Sequence, residues 1–326
     1  MKTRILISIS AITLLAALAI SVRLAAQDNW DGKHAKFILF DAPDAGTGAG
    51  QGTVTFAINP VGTITGYYLD SSNVYHGFLR AKDGSITTID APGAGTGPGQ
   101  GTVTNTINPA GAIAGYYCDG VTCHGLLRAR DGAITSFDAP GVATFGASIN
   151  PAGTIVGFYL DASDVYHAFL RARDGAITTL EPPGAGTGQF QGTFACIPDC
   201  INPAGAVAGT YSDDSNVSHS FVRAPDGAIT KYDVAGAGTG QYQGTTAFCN
   251  NPGNTVTGWY TDASGVNHGF LWRPRGAGDQ EDEDGEHNPS ASEGNAAPVT
   301  QLPSTVVPVN PVLRTGFPRL APAPMN

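Results

Sequence analysis

Ile58-Asn59-Pro60-Val61-Gly62-Thr63-Ile64-Thr65-Gly66-Tyr67-Tyr68-Leu69-Asp70 runs on to Val74-Tyr75-His76-Gly77-Phe78-Leu79-Arg80, then Asp83-Gly84-Ser85-Ile86-Thr87-Thr88-Ile89-Asp90-Ala91-Pro92. The stretch returns four more times. Its Asn-Pro pair recurs at Asn59, Asn108, Asn150, Asn202 and Asn251, and its histidine at His76, His124, His167, His219 and His268. Repetition with a period of 42 to 52 residues marks a modular array and governs the whole reading.

Each copy holds four short β-branched or aromatic runs separated by turn chemistry, which predicts four strands. Between the first two runs, Asn-Pro-x-Gly suits a type I turn, with proline presetting φ at the second position and glycine at the fourth. Between the last two, Asp83-Gly84, Asp131-Gly132, Asp174-Gly175 and Asp226-Gly227 supply the positive-φ residue of a tight hairpin. Four-stranded antiparallel modules of this length build a β-propeller. The fifth copy stops at Phe270-Leu271-Trp272-Arg273-Pro274 without a fourth strand. A spare fourth strand, Phe37-Ile38-Leu39-Phe40-Asp41-Ala42-Pro43, precedes the first copy. The predicted fold is therefore all-β: a five-bladed β-propeller over residues 37–275, closed by an N-terminal strand that completes the last blade and removes an open edge.

Composition agrees. Glycine and proline are one residue in five, which opposes a helical protein, while 41% hydrophobic residues oppose wholesale disorder. A net charge of -10 with 13% charged residues excludes a basic nucleic-acid binder. Lys2 and Arg4, the apolar run Ile5 to Ile20 and Arg23-Leu24-Ala25-Ala26-Gln27 predict a secretory signal peptide over residues 1–26. Residues 27–36 form a short lead-in, and no membrane span is expected in the mature chain. The protein is then secreted, extracellular or periplasmic, where disulfides persist. From 276 to 326 an acidic block gives way to a Pro-, Ser- and Ala-rich stretch without periodicity, which predicts a disordered tail.

The segment from Ile149-Asn150-Pro151-Ala152-Gly153 to His167-Ala168-Phe169-Leu170 resembles the HAF repeat of bacterial extracellular proteins. His76-Gly77-Phe78, His124-Gly125-Leu126, His219-Ser220-Phe221 and His268-Gly269-Phe270 are its variants. The resemblance implies a secreted repeat protein and brings no established chemistry.

Five cysteines leave at least one unpaired within a monomer. Cys118 and Cys123 flank the second-to-third-strand loop of copy two, and a bridge there requires them to face one another. That register makes Tyr117 and His124 the next cross-strand pair, and by alignment Tyr68 with His76, Tyr159 with His167, Tyr211 with His219 and Tyr260 with His268. Cys196 and Cys200 bracket an insertion in copy four and are expected to pair, with Cys200–Cys249 as the alternative.

The histidines cannot form a metal ring. On third strands they stand roughly 10 Å outside the innermost strands, whereas ligands approach a zinc ion to about 2 Å. A packing unit of His, Tyr and the Asp two residues after the Tyr is the plainer account. The loops opened by Asp70, Asp161, Asp213 and Asp262 echo a calcium loop without its closing glutamate, and Asp capping its own turn explains them. No metal and no cofactor are expected. Gly-Ala-Gly-Thr-Gly linkers carrying Gln51, Gln100, Gln191 and Gln243 have no following lysine or helix and are read as flexible connectors rather than phosphate cradles.

Topology puts the second-to-third-strand loops and the linkers on one side, and the minimal turns on the other. Variable loops on a rigid frame favour binding. The candidate ligand contacts on that side are Tyr68, Asp70 and His76; Tyr117, Asp119 and His124; Tyr159, Asp161 and His167; Tyr211, Asp213 and His219; Tyr260, Asp262 and His268, with the linker Gln or Thr. No catalytic residue is assigned, since Glu181 is the single glutamate of the repeats and most aspartates are repeat-equivalent. Expected partners are a glycan or a cell-surface protein. The alternatives are a propeller hydrolase or lyase using Asp44, Asp199 or Asp214, and a structural envelope or matrix component.

Overall fold

The computed structural model describes residues 38–195 and 200–274. The predicted signal peptide, the lead-in, Phe37 and the predicted tail lie outside the described residues, as does Cys196 with its expected bridge to Cys200. The described residues form strands and turns with no helix, and so none long and apolar enough to cross a membrane.

Four strands make each of the first four units, and three make the fifth among the described residues. Unit one is β1 (Gly52–Ile58), β2 (Ile64–Leu69), β3 (Tyr75–Arg80) and β4 (Ile86–Ile89). Unit two is β5 (Gly101–Ile107), β6 (Ile113–Cys118), β7 (Cys123–Arg128) and β8 (Ile134–Phe137). Unit three is β9 (Ala143–Ile149), β10 (Ile155–Leu160), β11 (Tyr166–Arg171) and β12 (Ile177–Leu180). Unit four is β13 (Gly192–Ala195), β14 (Val207–Ser212), β15 (Ser218–Arg223) and β16 (Ile229–Tyr232). Unit five is β17 (Gly244–Asn250), β18 (Val256–Thr261) and β19 (Asn267–Trp272). Within each unit consecutive strands pair antiparallel.

Both turn types work as their residues dictate. Gly62 donates its amide to the Asn59 carbonyl at 2.9 Å with φ +86°, while the Asn59 side chain accepts from Thr63 at 2.9 Å. Gly84 does the same to Ala81 at 3.0 Å with φ +95°. In each case a type I turn is followed by a left-handed glycine that returns the strand in register.

Neighbouring units join through their linkers. The ladder passes from β3 to β5 by one parallel pair, Tyr75 with Gly101, and likewise from β11 to β13 and from β15 to β17. Between units two and three the sequence has only Pro140-Gly141-Val142, and here the ladder breaks, dividing the strands into a sheet of eight and a sheet of eleven. The hydrophobic core bridges this break. Tyr67, Val103, Tyr116, Phe145 and Phe158 from three units pack together beside the Cys118–Cys123 bridge. Further clusters fill the spaces between units three and four and between units four and five.

β5 and β9 are buried along their whole length, whereas β1 and β19 are partly exposed. Among the described residues no hydrogen-bonded ladder closes the array, and β19 is paired on one side. The chain divides into two units between Phe40 and Asp41. In the described part of the first, residues 38–40, there is no strand, and Ile38 and Leu39 are exposed.

Candidate functional site

The Cys118–Cys123 bridge is formed, and opposite it the register places Tyr117 across from His124. The same pairing holds for Tyr68 with His76, Tyr159 with His167, Tyr211 with His219 and Tyr260 with His268. In all five units the two rings stack, with centroids 4.9 to 5.0 Å apart and planes within 28°.

Four of the five histidines, His76, His124, His167 and His219, then lie between two carboxylates. Nδ1 stands 2.6 to 2.8 Å from the acid that ends the fourth strand: Asp90, Asp138, Glu181 or Asp233. Nε2 faces the loop aspartate, Asp70, Asp119, Asp161, Asp213 or Asp262, at 3.3 to 3.7 Å. The partners on Nδ1 escaped the sequence reading, although a signal existed: His and acid recur with a constant offset of 14. For His268, 43% exposed on its side chain against 22 to 24% for the others, Asp262 is the carboxylate partner among the described residues.

The loop aspartates serve their own turns. Asp161 Oδ1 accepts from the amides of Ser163 and Val165 at 2.8 and 3.0 Å, and Asp70, Asp213 and Asp262 repeat this. Amide donors favour the ionised carboxylate. The Val165 amide, opposed by partial burial, holds the Asp161 carboxyl below its usual range. The Thr122 and Val121 amides do so for Asp119, and the Val266 amide for Asp262. At Asp70 and Asp213 burial is the largest influence and pushes upward, but two amides each and the nearby histidine outweigh it.

Two expectations are corrected. Tyr68, Tyr117, Tyr159 and Tyr211 are buried, Tyr68 to 2% exposure, so their rings offer no platform to a ligand. The histidine ring covers one face of each. Burial pushes the Tyr68 and Tyr211 hydroxyls up.

The linkers are also pinned rather than loose. Gln51, Gln100, Gln191 and Gln243 accept the amides of Gly48, Gly97, Gly188 and Gly240 at 2.8 to 3.0 Å. Three of them reach across to the carbonyls of Ser71, Asp214 and Ala263 in the second-to-third-strand loops. Glycine is required where this brace forms: a Cβ on Gly95 would stand 2.1 Å from Gln100 Oε1. The Gln51, Gln191 and Gln243 side chains are thereby engaged at both ends within the fold.

The side on which this happens is the expected one. Gly99 donates to Asn73 and Gly95 to Cys118, which ties linker 93–100 to the loops of both flanking units. On the opposite rim Asn108 and Asn202 bond the carbonyls of Asn150 and Asn251 in the next unit's turn. Among the described residues no group of three or more His, Cys, Asp or Glu could hold a metal ion.

These observations define an all-β repeat protein of antiparallel units, four with four strands and a fifth with three among the described residues, each carrying a Tyr–His–carboxylate cluster. No protein-family model matches the chain, and no curated protein matches it. Among solved structures it is similar to virginiamycin B lyase from Staphylococcus aureus at 15% identity and a TM-score of 0.44, covering 72% of this chain and 74% of that one. It is similar to AofleA from Arthrobotrys oligospora at 13% identity and a TM-score of 0.39, covering 68% and 69%. The SapL1 lectin in complex with alpha methyl fucoside matches at 13% identity and a TM-score of 0.37, covering 68% and 77%.

Proposed function

We propose that the chain is a secreted, non-catalytic five-bladed β-propeller of HAF-repeat type that binds an extracellular polymer through its linker-and-loop side. The observation that carries this reading is the sameness of the five units. An acid–base site needs two carboxylates in different environments. Here the loop aspartates share one environment, fixed by the same turn amides and the same histidine. Repeated equivalent surfaces suit avidity instead, because several weak contacts on one scaffold add.

A single hydrogen bond supports closure. Ala42 donates its amide to Thr53 Oγ1 at 2.9 Å. Ala91 to Thr102, Ala139 to Thr144 and Val234 to Thr245 make the same bond, from the residue after each fourth-strand acid to the first strand of the next unit. Asp41-Ala42-Pro43 thus meets unit one as the end of a preceding blade does. In the closed ring Asp41 would take Nδ1 of His268.

Co-sedimentation of the full secreted chain with soluble and particulate polysaccharides, with assay of released products, tests the function. Retention without product release is expected. Product release abolished by one substitution, such as Asp214→Asn, would replace this reading with a hydrolase or lyase.

A further inference from the structure

Of the non-glycine residues with positive φ, four are Asn or Asp, which tolerate the left-handed region, and two are Phe190 and Tyr242 at +60° and +64°. Both sit at the same place, the residue before the bracing glutamine, in the linkers Gly188-Gln189-Phe190-Gln191 and Gly240-Gln241-Tyr242-Gln243. Units one and two have Gly50 and Gly99 there, at +81° and +77°. The backbone bond is common: Gly99, Phe190 and Tyr242 each donate to the fourth residue of the adjoining loop, Asn73, Asp164 or Asn216, at 2.8 Å. Glycine therefore meets the needs of the fold without strain, and a bulky ring meets them at a cost.

The rings gain nothing evident from burial, being 57% exposed for Phe190 and 67% for Tyr242. Phe190 rests one edge toward Tyr166, at 6.4 Å between centroids and 44° between planes. Strain held at exposed, repeat-equivalent aromatics points to use rather than packing. Amides and acids stand in the linker and loops beside Phe190: Gln189 Nε2 donates to Asp164 Oδ2 at 3.0 Å, and Asp214 Oδ1 accepts from the Thr187 amide at 3.3 Å. Gln241 precedes Tyr242 as Gln189 precedes Phe190, where units one and two have Ala49 and Pro98.

We infer that Phe190 and Tyr242 are stacking platforms for successive sugar rings of a polysaccharide, with the adjacent glutamine and loop acids meeting the hydroxyls. A pyranose presents an apolar C–H face bordered by hydroxyls, and a flat ring edged by amide and carboxylate groups complements both. A protein partner's hot spot would instead call for a desolvated pocket around the anchors, whereas these rings are exposed at the third position of linker turns closed by the Gln191 and Gln243 amides on Gly188 and Gly240. The inference narrows the binding role proposed above to two units and one chemistry, and rests on that reading.

Affinity electrophoresis of the full secreted chain through gels containing laminarin, galactomannan, xylan or hydroxyethyl cellulose tests it, beside the variants Phe190→Gly, Tyr242→Gly and their combination. Retardation by at least one polysaccharide is expected, weakened roughly tenfold in the double variant while Tm is unchanged or raised, because glycine relieves the strain. Phe190→Tyr should keep the retardation, and Phe190→Leu, apolar without a π face, should weaken it as Phe190→Gly does. Retardation equal in wild type and double variant overturns the platforms but leaves the broader binding role standing. No retardation by any polysaccharide, with retention on protease-sensitive cell-surface protein, overturns the sugar chemistry alone. Retention on neither overturns both.

Discussion

His219 Nδ1 lies 2.8 Å from Asp233 Oδ2 while its ring stacks on Tyr211 at 5.0 Å, so one side chain ties the third strand to the end of the fourth and caps the second. Replacing His219 with Ala removes the stack and leaves a carboxylate without its donor. Stability should fall by about 1–2 kcal/mol in urea titration. An unchanged midpoint together with lost polysaccharide retention would return this histidine to the ligand site.

Ring closure makes a pairwise prediction. Asp41→Asn and His268→Asn should couple in a double-mutant cycle as strongly as Asp90→Asn and His76→Asn do, about 0.5–1 kcal/mol for each exposed pair. Coupling in the reference pair with none between residues 41 and 268 would leave the array open.

Acid should loosen the units together. The carboxyls of Asp70, Asp119, Asp161, Asp213 and Asp262 all titrate below their ordinary 3.8 in the folded chain. A depressed folded-state pKa contributes stability that is complete above the ordinary value and disappears as pH falls through the folded one. Tm measured between pH 6 and pH 2 should therefore drop chiefly below 3.8, and Asp161→Asn, which keeps the turn acceptor but does not titrate, should flatten the decline. The same slope in wild type and variant would remove these turns as the cause.

The Cys118–Cys123 bridge closes a loop of five residues in sequence separation. Chain-entropy arguments assign such a short loop about 2 kcal/mol. Cys118→Ser with Cys123→Ser should lower the urea midpoint accordingly, without changing which residues pair along β6 and β7. A loss well beyond this would mean that the bridge determines the hairpin rather than reinforcing it.

Much of this architecture can be read from residues alone because each unit is local. The turn glycines, the strand order and all five Tyr–His registers follow from short-range spacing, with Cys118 and Cys123 providing the register. The Asp beside each histidine was legible for the same reason. What escaped depends on neighbours. The burial of Tyr68 to 2% exposure is a tertiary outcome that no local pattern reports. The fourth-strand acids meet histidines 14 residues away across a hairpin whose width the sequence does not state. Gln100 looked like a surface amide because its partners include main-chain atoms, invisible to any comparison of side chains. Phe190 and Tyr242 were hidden behind an aromatic-for-glycine exchange whose meaning lies in φ.

One irregularity of the first strands reaches beyond this molecule. β1, β5, β9 and β17 each slip register once at a matching position, leaving Phe56, Asn105, Ala147 and Phe248 as unmatched residues. The extra residues of unit four enter the sequence immediately after Ala195, at that same point. There β13 covers four residues where its counterparts cover seven, and pairing resumes at the bridge of Ile201 with Val207. Grafted peptides directed there, one per unit, would have five addresses on a frame that already carries extra residues at one of them.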